Sequence, residues 1–253
     1  DMLVSGFRRN GTMHTPAGQA AFGREPDATA SAETGRTRHR TFQSAMFFEA
    51  FRSLYTNVRF LGTDTPIRSL VVSSAIPGEG KSTIALYLAK AAAVMGHRVL
   101  LVDADLRSPK YHTRLNLPNM RGLSNLVTES FRLQDVVQRS PLDENLAVVT
   151  AGPIPPDPVK LLSSRRMQSL MEEFQRDYDL VIYDMPPMVG FADSSLVAAH
   201  TDGMVVVVGL GKTERSALNR ALDELKLSPI SVLGVVANGI KSYTTRVYGY
   251  YRY

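Results

Sequence analysis

The chain contains no cysteine. Disulfides, thiolate metal sites and cysteine nucleophiles are therefore excluded. Long apolar runs are missing too. The most apolar stretch, Met204 to Val208, has the length of a strand, far short of the ~18 residues of a membrane span. No apolar segment follows Arg8 and Arg9, so the N-terminus does not read as a signal peptide. The chain starts at Asp1 rather than Met, which leaves room for a preceding segment. Charge is also missing where a nucleic-acid groove would need it. The 253 residues carry a net +5, but residues 46–240 are neutral, with 20 basic and 20 acidic side chains. The excess lies at the ends: +2 over residues 1–45 and +3 over residues 241–253. A neutral core argues against a nucleic-acid partner.

What is present has a clear organisation. Residues 1–40 are rich in Gly, Thr, Ala, Ser and Arg without a sustained period, and read as a flexible arm. From Thr41 to Leu61 the residues Met46, Phe47, Ala50, Phe51, Leu54 and Val58 recur at helical spacing, and Gly62 and Pro66 stop the helix. Six aliphatic runs then predict strands: 67–73, 98–102, 145–150, 180–183, 203–208 and 232–237. Near-continuous Val, Leu and Ile suit parallel strands covered on both faces. Helical patterns fall between several of them, at 81–95, 163–175, 194–200 and 214–225. The alternation predicts a doubly wound, mostly parallel α/β sheet over residues 41–240, followed by a tail over 241–253.

The sharpest motif follows the first predicted strand: Ala75-Ile76-Pro77-Gly78-Glu79-Gly80-Lys81-Ser82, followed by Thr83. It matches a phosphate-binding P-loop, except that Ala75 replaces the first glycine. Glycines let the backbone wrap an anion, and the helix N-terminus directs N–H groups at it. Lys81 suits the β- and γ-phosphates, and the Ser82 hydroxyl suits Mg²⁺. Asp103 and Asp105 leave the end of the second strand on one side, as metal ligands or a proton acceptor. Taken alone, a pair of capping aspartates is an equally good reading. Asp184 ends the fourth strand, ahead of Pro186 and Pro187, and fits a Walker B carboxylate.

These motifs resemble the deviant-Walker P-loop ATPases and, within them, the bacterial tyrosine kinases (BY-kinases, Wzc/CapB-like) of polysaccharide synthesis and export. The stretch Ser74 to Thr83 carries the P-loop. Val102-Asp103-Ala104-Asp105-Leu106-Arg107 is similar to the family's Walker A′ motif, and Ile182-Tyr183-Asp184-Met185-Pro186-Pro187 to its Walker B. Five of the ten tyrosines, Tyr243, Tyr248, Tyr250, Tyr251 and Tyr253, fall in the last eleven residues. Related ParA and MinD ATPases, which position DNA or membrane cargo, are the alternative reading. They carry a signature lysine where this chain has Ile76, and they lack the tyrosine cluster.

The resemblance implies an ATP- and Mg²⁺-dependent autokinase that phosphorylates its tail tyrosines in trans and regulates exopolysaccharide production. It implies that Ala75, Pro77, Gly78, Glu79, Gly80, Lys81, Ser82 and Thr83 bind the nucleotide. Lys81 would stabilise the transferring phosphoryl group. Ser82, Asp103, Asp105 and Asp184 would surround the metal, with Asp103 also orienting or deprotonating the tyrosine. Relatives use an Asn after the last strand to read the adenine; here that is Asn238, which suits a turn equally well. Ring contacts would involve Glu49 and Arg52, although Tyr55 replaces the second arginine of the family's Glu-x-x-Arg-x-x-Arg pattern. A transmembrane co-polymerase, fused or separate, would place the kinase at the inner face of the cell membrane.

Overall fold

The computed structural model describes residues 2–4, 28–62, 65–226 and 228–239, with side chains from Ala45 onward. Eight strands form one sheet: β1 (Met2–Val4), β2 (Ser69–Ser74), β3 (Val99–Asp103), β4 (Gln138–Arg139), β5 (Leu146–Val149), β6 (Leu180–Asp184), β7 (Met204–Gly209) and β8 (Val232–Asn238). Their order is β1-β8-β7-β2-β6-β3-β5-β4. All pairings are parallel except that of β4 with β5. The expected doubly wound fold is thus present, and the six predicted strands are β2, β3 and β5 to β8.

Alternate residues of each central strand serve opposite faces, which explains the unbroken apolar runs. On β3, Leu100 and Val102 face one core with Met167, Leu170, Met171 and Phe174 of helix α6 (Arg165–Asp177). Val99 and Leu101 face the other core with α1 (Ala28–Leu61) and α2 (Lys81–Val94). Helix α2 is alanine-rich, and Ala85, Ala89, Ala91, Ala92 and Ala93 are all fully buried. Small side chains let this helix sit close to the sheet, which brings its N-terminus over the strand ends. Phe47 and Phe51 of α1 pack edge-on to each other and against Tyr87 of α2.

The remaining helices are α3 (Tyr111–Arg114), α4 (Leu123–Thr128), α5 (Pro158–Leu162), α7 (Asp193–Ala198) and α8 (Arg215–Lys226). Local chemistry marks two starts. The Asp157 side chain accepts from the Lys160 N–H ahead of α5, where Pro158 occupies the first turn. The Ser164 hydroxyl accepts from the Met167 N–H ahead of α6. Helix α1 begins at Ala28 rather than near Thr41. Ala28, Ala30 and Ala32 favour helix by propensity, but that stretch has no apolar period to announce it. Strand β1 likewise lies in the segment expected to be a flexible arm.

Candidate nucleotide site at the sheet edge

Parallel strands point their C-terminal ends the same way, so the ends of β2, β3, β6, β7 and β8 share one edge. The loop from Ala75 to Gly80 joins β2 to α2. Gly78 and Gly80 have φ of 78° and 94°. A Cβ on Gly78 would collide with the Lys212 ammonium, and one on Gly80 with the Asn238 amide. The positive φ is what requires glycine at both positions; the crowding is with side-chain ends that can move. Glu79 folds back inside the loop: its Oε2 accepts from the Ile76 N–H at 2.6 Å and its Oε1 from the Gly209 N–H at 2.9 Å. The Thr213 hydroxyl also donates to Glu79 Oε1. Glu79 thus supports the loop rather than facing a ligand.

Lys81, the first residue of α2, is buried and aims across the sheet edge. Its Nζ donates to Asp105 Oδ2 at 2.8 Å and to Ser82 Oγ at 3.3 Å, and stands 3.6 Å from Asp184 Oδ1. Burial pulls the Lys81 ammonium down, but Asp184 and Asp105 outweigh it and hold the group above its usual range. The geometry therefore joins Lys81, Ser82, Asp105 and Asp184, as the sequence suggested.

Asp103 and Asp184 are direct register partners on β3 and β6. Their side chains therefore project from the same face of adjacent strands, and both are fully buried. Burial, then the neighbouring Asp184, pushes the Asp103 carboxyl up to about 7. The N–H groups of Lys110 and Tyr111 donate to Asp103 Oδ2, each at 2.9 Å, and oppose that rise. Burial also pushes the Asp184 carboxyl up, against the pull of Lys81. Asp103 Oδ1 and both Asp184 carboxylate oxygens are buried without a hydrogen-bond partner.

Those unpartnered oxygens, beside a hydroxyl and a lysine, fit a hydrated Mg²⁺. Among the described residues no three of Asp, Glu, His or Cys come together as a group that could hold a metal, so Asp103, Asp105 and Asp184 do not form the three-carboxylate shell expected from the sequence. Mg²⁺ in a nucleotide site takes one or two carboxylates and fills its shell with water and phosphate oxygens.

Tyr111, Asp193 and Arg114 were not legible in the sequence. The Tyr111 hydroxyl, fully buried, donates to the Ser82 carbonyl at 3.0 Å. Arg107 forms a two-pronged pair with buried Asp193 at 2.9 and 3.0 Å, and its guanidinium lies over the Phe191 ring at 4.4 Å. Arg114 donates to the Thr83 hydroxyl at 3.1 Å. Asn238 closes β8 with its amide nitrogen 2.7 Å from the Glu79 carbonyl, on the nucleotide loop. Glu49 and Arg52 pair at 3.5 Å on the exposed face of α1. The tail tyrosines lie outside the described residues.

Comparison with known proteins places this geometry. Residues 67–247 match the family model described as ParA: NUBPL iron-transfer P-loop NTPase. An iron–sulfur carrier needs thiolate ligands, and this chain has no cysteine. The chain is 41% identical over 203 residues to tyrosine-protein kinase YwqD of Bacillus subtilis strain 168, covering 80% of this chain and 85% of that protein. It is 31% identical to tyrosine-protein kinase etk of Escherichia coli K12, covering 80% of this chain and 28% of that larger protein. Among solved structures, the kinase domain of E. coli ETK matches with a TM-score of 0.72 and 30% identity, over 78% of both chains. The chimerical protein CapA2B2 matches with a TM-score of 0.73 and 36% identity, over 77% of this chain and 85% of that one. An archaeal MinD, from Pyrococcus horikoshii, shares the fold at 21% identity and a TM-score of 0.58. The chain belongs to the bacterial tyrosine-protein kinases, on a P-loop NTPase fold.

Proposed function

We propose that the chain transfers the γ-phosphoryl group of ATP to tyrosines of its own C-terminal cluster, in trans between copies. The observation that carries this reading is the convergence of Lys81, Ser82, Asp103, Asp105 and Asp184 at the mouth of the nucleotide loop. ATP would displace the Asp105 carboxylate from Lys81 and take the lysine onto its phosphates. Ser82, Asp105 and Asp184 would hold Mg²⁺, which when bound neutralises phosphate charge. A tyrosine oxygen attacks the γ-phosphorus, the bond to the β-phosphate oxygen breaks, and ADP leaves. Asp103, with a free carboxylate oxygen at the sheet edge, accepts the tyrosine proton. Asn238 and Thr83 complete the nucleotide contacts.

The tail supplies five acceptors, Tyr243, Tyr248, Tyr250, Tyr251 and Tyr253, in a segment with no acidic residue. Each phosphate adds about −1.5 to −2 charges, so full modification reverses the sign of the tail and opposes its docking. Glu49 and Arg52 would join subunits. A membrane-embedded polysaccharide co-polymerase would activate the kinase and hold it at the cytoplasmic face, linking it to exopolysaccharide or capsule export.

The test is incubation with ATP and Mg²⁺, with an activator segment supplied, and mass mapping of the tail. Phosphotyrosine within residues 243–253 is expected in the wild type and none in Lys81→Met. An unmodified wild-type tail would overturn the reading.

A further inference from the structure

The inner face of the nucleotide loop has obvious work to do, but its outer face is also gripped. Lys212, in the β7–α8 connection, is exposed, yet its ammonium reaches back to donate to the Gly78 carbonyl at 2.9 Å. Among the described residues it forms no ion pair with a carboxylate. Asn238, at the end of β8, donates its amide to the next carbonyl, that of Glu79, at 2.7 Å. Two consecutive outward carbonyls are thus taken by two side chains from separate strand ends.

Peptide planarity gives this arrangement a consequence. In a trans peptide the C=O and N–H of one unit point in opposite directions. The Gly78 carbonyl shares its unit with the Glu79 N–H, and the Glu79 carbonyl shares its unit with the Gly80 N–H. Pulling both carbonyls outward turns both N–H groups inward, toward the anion cradle. Neither N–H has an acceptor in hydrogen-bond geometry among the described residues. A cation on a peptide oxygen also polarises the unit and makes its N–H a stronger donor. Both positive-φ glycines belong to the gripped units, Gly78 through its carbonyl and Gly80 through its N–H.

We propose that Lys212 and Asn238 are positioning residues for nucleotide binding. They clamp the outer carbonyls of the loop so that the Glu79 and Gly80 N–H groups are set for phosphate before the nucleotide arrives. The proposal rests on the nucleotide-site reading above, adds Lys212 to it and gives Asn238 a second role. Neither needs to touch the nucleotide for this role. The contact from Lys212 crosses 134 residues of sequence, and that from Asn238 crosses 159.

The experiment compares the full chain with Lys212→Met and Lys212→Arg, measuring dissociation constants for MgATP and MgADP and the melting temperature without nucleotide. The methionine keeps the length of the stem and loses the charged donor; the arginine keeps a charged donor. Lys212→Met should weaken both nucleotides about five- to tenfold, with Lys212→Arg within about twofold of wild type and all three melting temperatures together. Wild-type affinity in Lys212→Met would reduce the contact to an incidental surface bond and overturn the proposal. Equal weakening in both variants would assign the effect to the lysine stem and overturn it too. A fall in affinity accompanied by a fall in melting temperature would make the residue merely structural. A wild type that binds neither nucleotide would instead overturn the reading on which the proposal rests.

Discussion

Asp103 and Asp184 stand opposite each other on neighbouring parallel strands, two buried carboxylates in direct register at the sheet edge. Two such groups raise each other's cost of ionisation. The fold tolerates this because the lysine at the head of α2 lies within reach of Asp184 and of Asp105. The arrangement is one of function set against stability.

That conflict yields a first prediction. Asp103→Asn preserves an oxygen to accept from the Lys110 and Tyr111 N–H groups and removes a buried charge beside Asp184. Without nucleotide, the variant should melt at or above the wild-type temperature. Its phosphotransfer rate should fall about 100-fold or more, as expected when a general base is lost. Calorimetry and a phosphotyrosine time course check the two halves.

The pair between Arg107 and Asp193 should respond asymmetrically. Asp193 is fully buried, while the Arg107 side chain is one-third exposed, at 33%. Arg107→Ala leaves a sealed carboxylate without a counter-charge and should cost about 3 kcal/mol. Asp193→Ala leaves an arginine free to turn into water and should cost clearly less. Urea unfolding of the two variants reads the difference; equal losses would contradict the asymmetry.

The pH dependence of stability has one legible contributor at the opposite end of the sheet. Hydrogen bonds from the Arg98 side chain and N–H hold the Asp179 carboxyl down, to about 2. A lowered folded-state pKa favours the ionised form. The stabilisation is therefore complete above the unfolded value near 4 and is lost as pH falls through about 2. Asp179→Asn should lower the melting temperature at pH 6 and converge with wild type toward pH 2. The pair is exposed to solvent, so the effect is small.

The proposed subunit contact at Glu49 and Arg52 can be tested apart from folding. They lie on the exposed side of α1, while Phe51, Leu54, Tyr55 and Val58 are buried on the other side. Replacing both with alanine should leave stability within about 0.5 kcal/mol of wild type and reduce the oligomer, read by light scattering. Unchanged size would move the subunit contact elsewhere. Tyr55 explains the departure from the family's pattern: it is a core residue, and its hydroxyl accepts from Arg59 at 3.4 Å.

The central strands were legible because residues buried on both faces leave unbroken aliphatic runs, and Val99 to Val102 is one. The loop, Lys81 and the three aspartates were legible because their chemistry is local in sequence. Strand β4 and helices α3 and α4 were not, being too short to display a period. Lys212, Asp193 and Tyr111 escaped for another reason. Each acts through a partner distant in sequence, and nothing in its own neighbourhood marks it.

The root of the tail has a geometric consequence. Strand β8 ends at Asn238, whose side chain is already on the nucleotide loop, so the tail leaves from the rim of its own site. Tyr243 lies five Cα steps from Asn238, a tether of at most about 18 Å; Tyr253 lies fifteen steps away, at most about 54 Å. Acceptors along the cluster are therefore graded by leash length. Under the proposed transfer in trans, the far end should be modified first, and the order in which phosphates appear becomes a ruler for the distance between neighbouring sites.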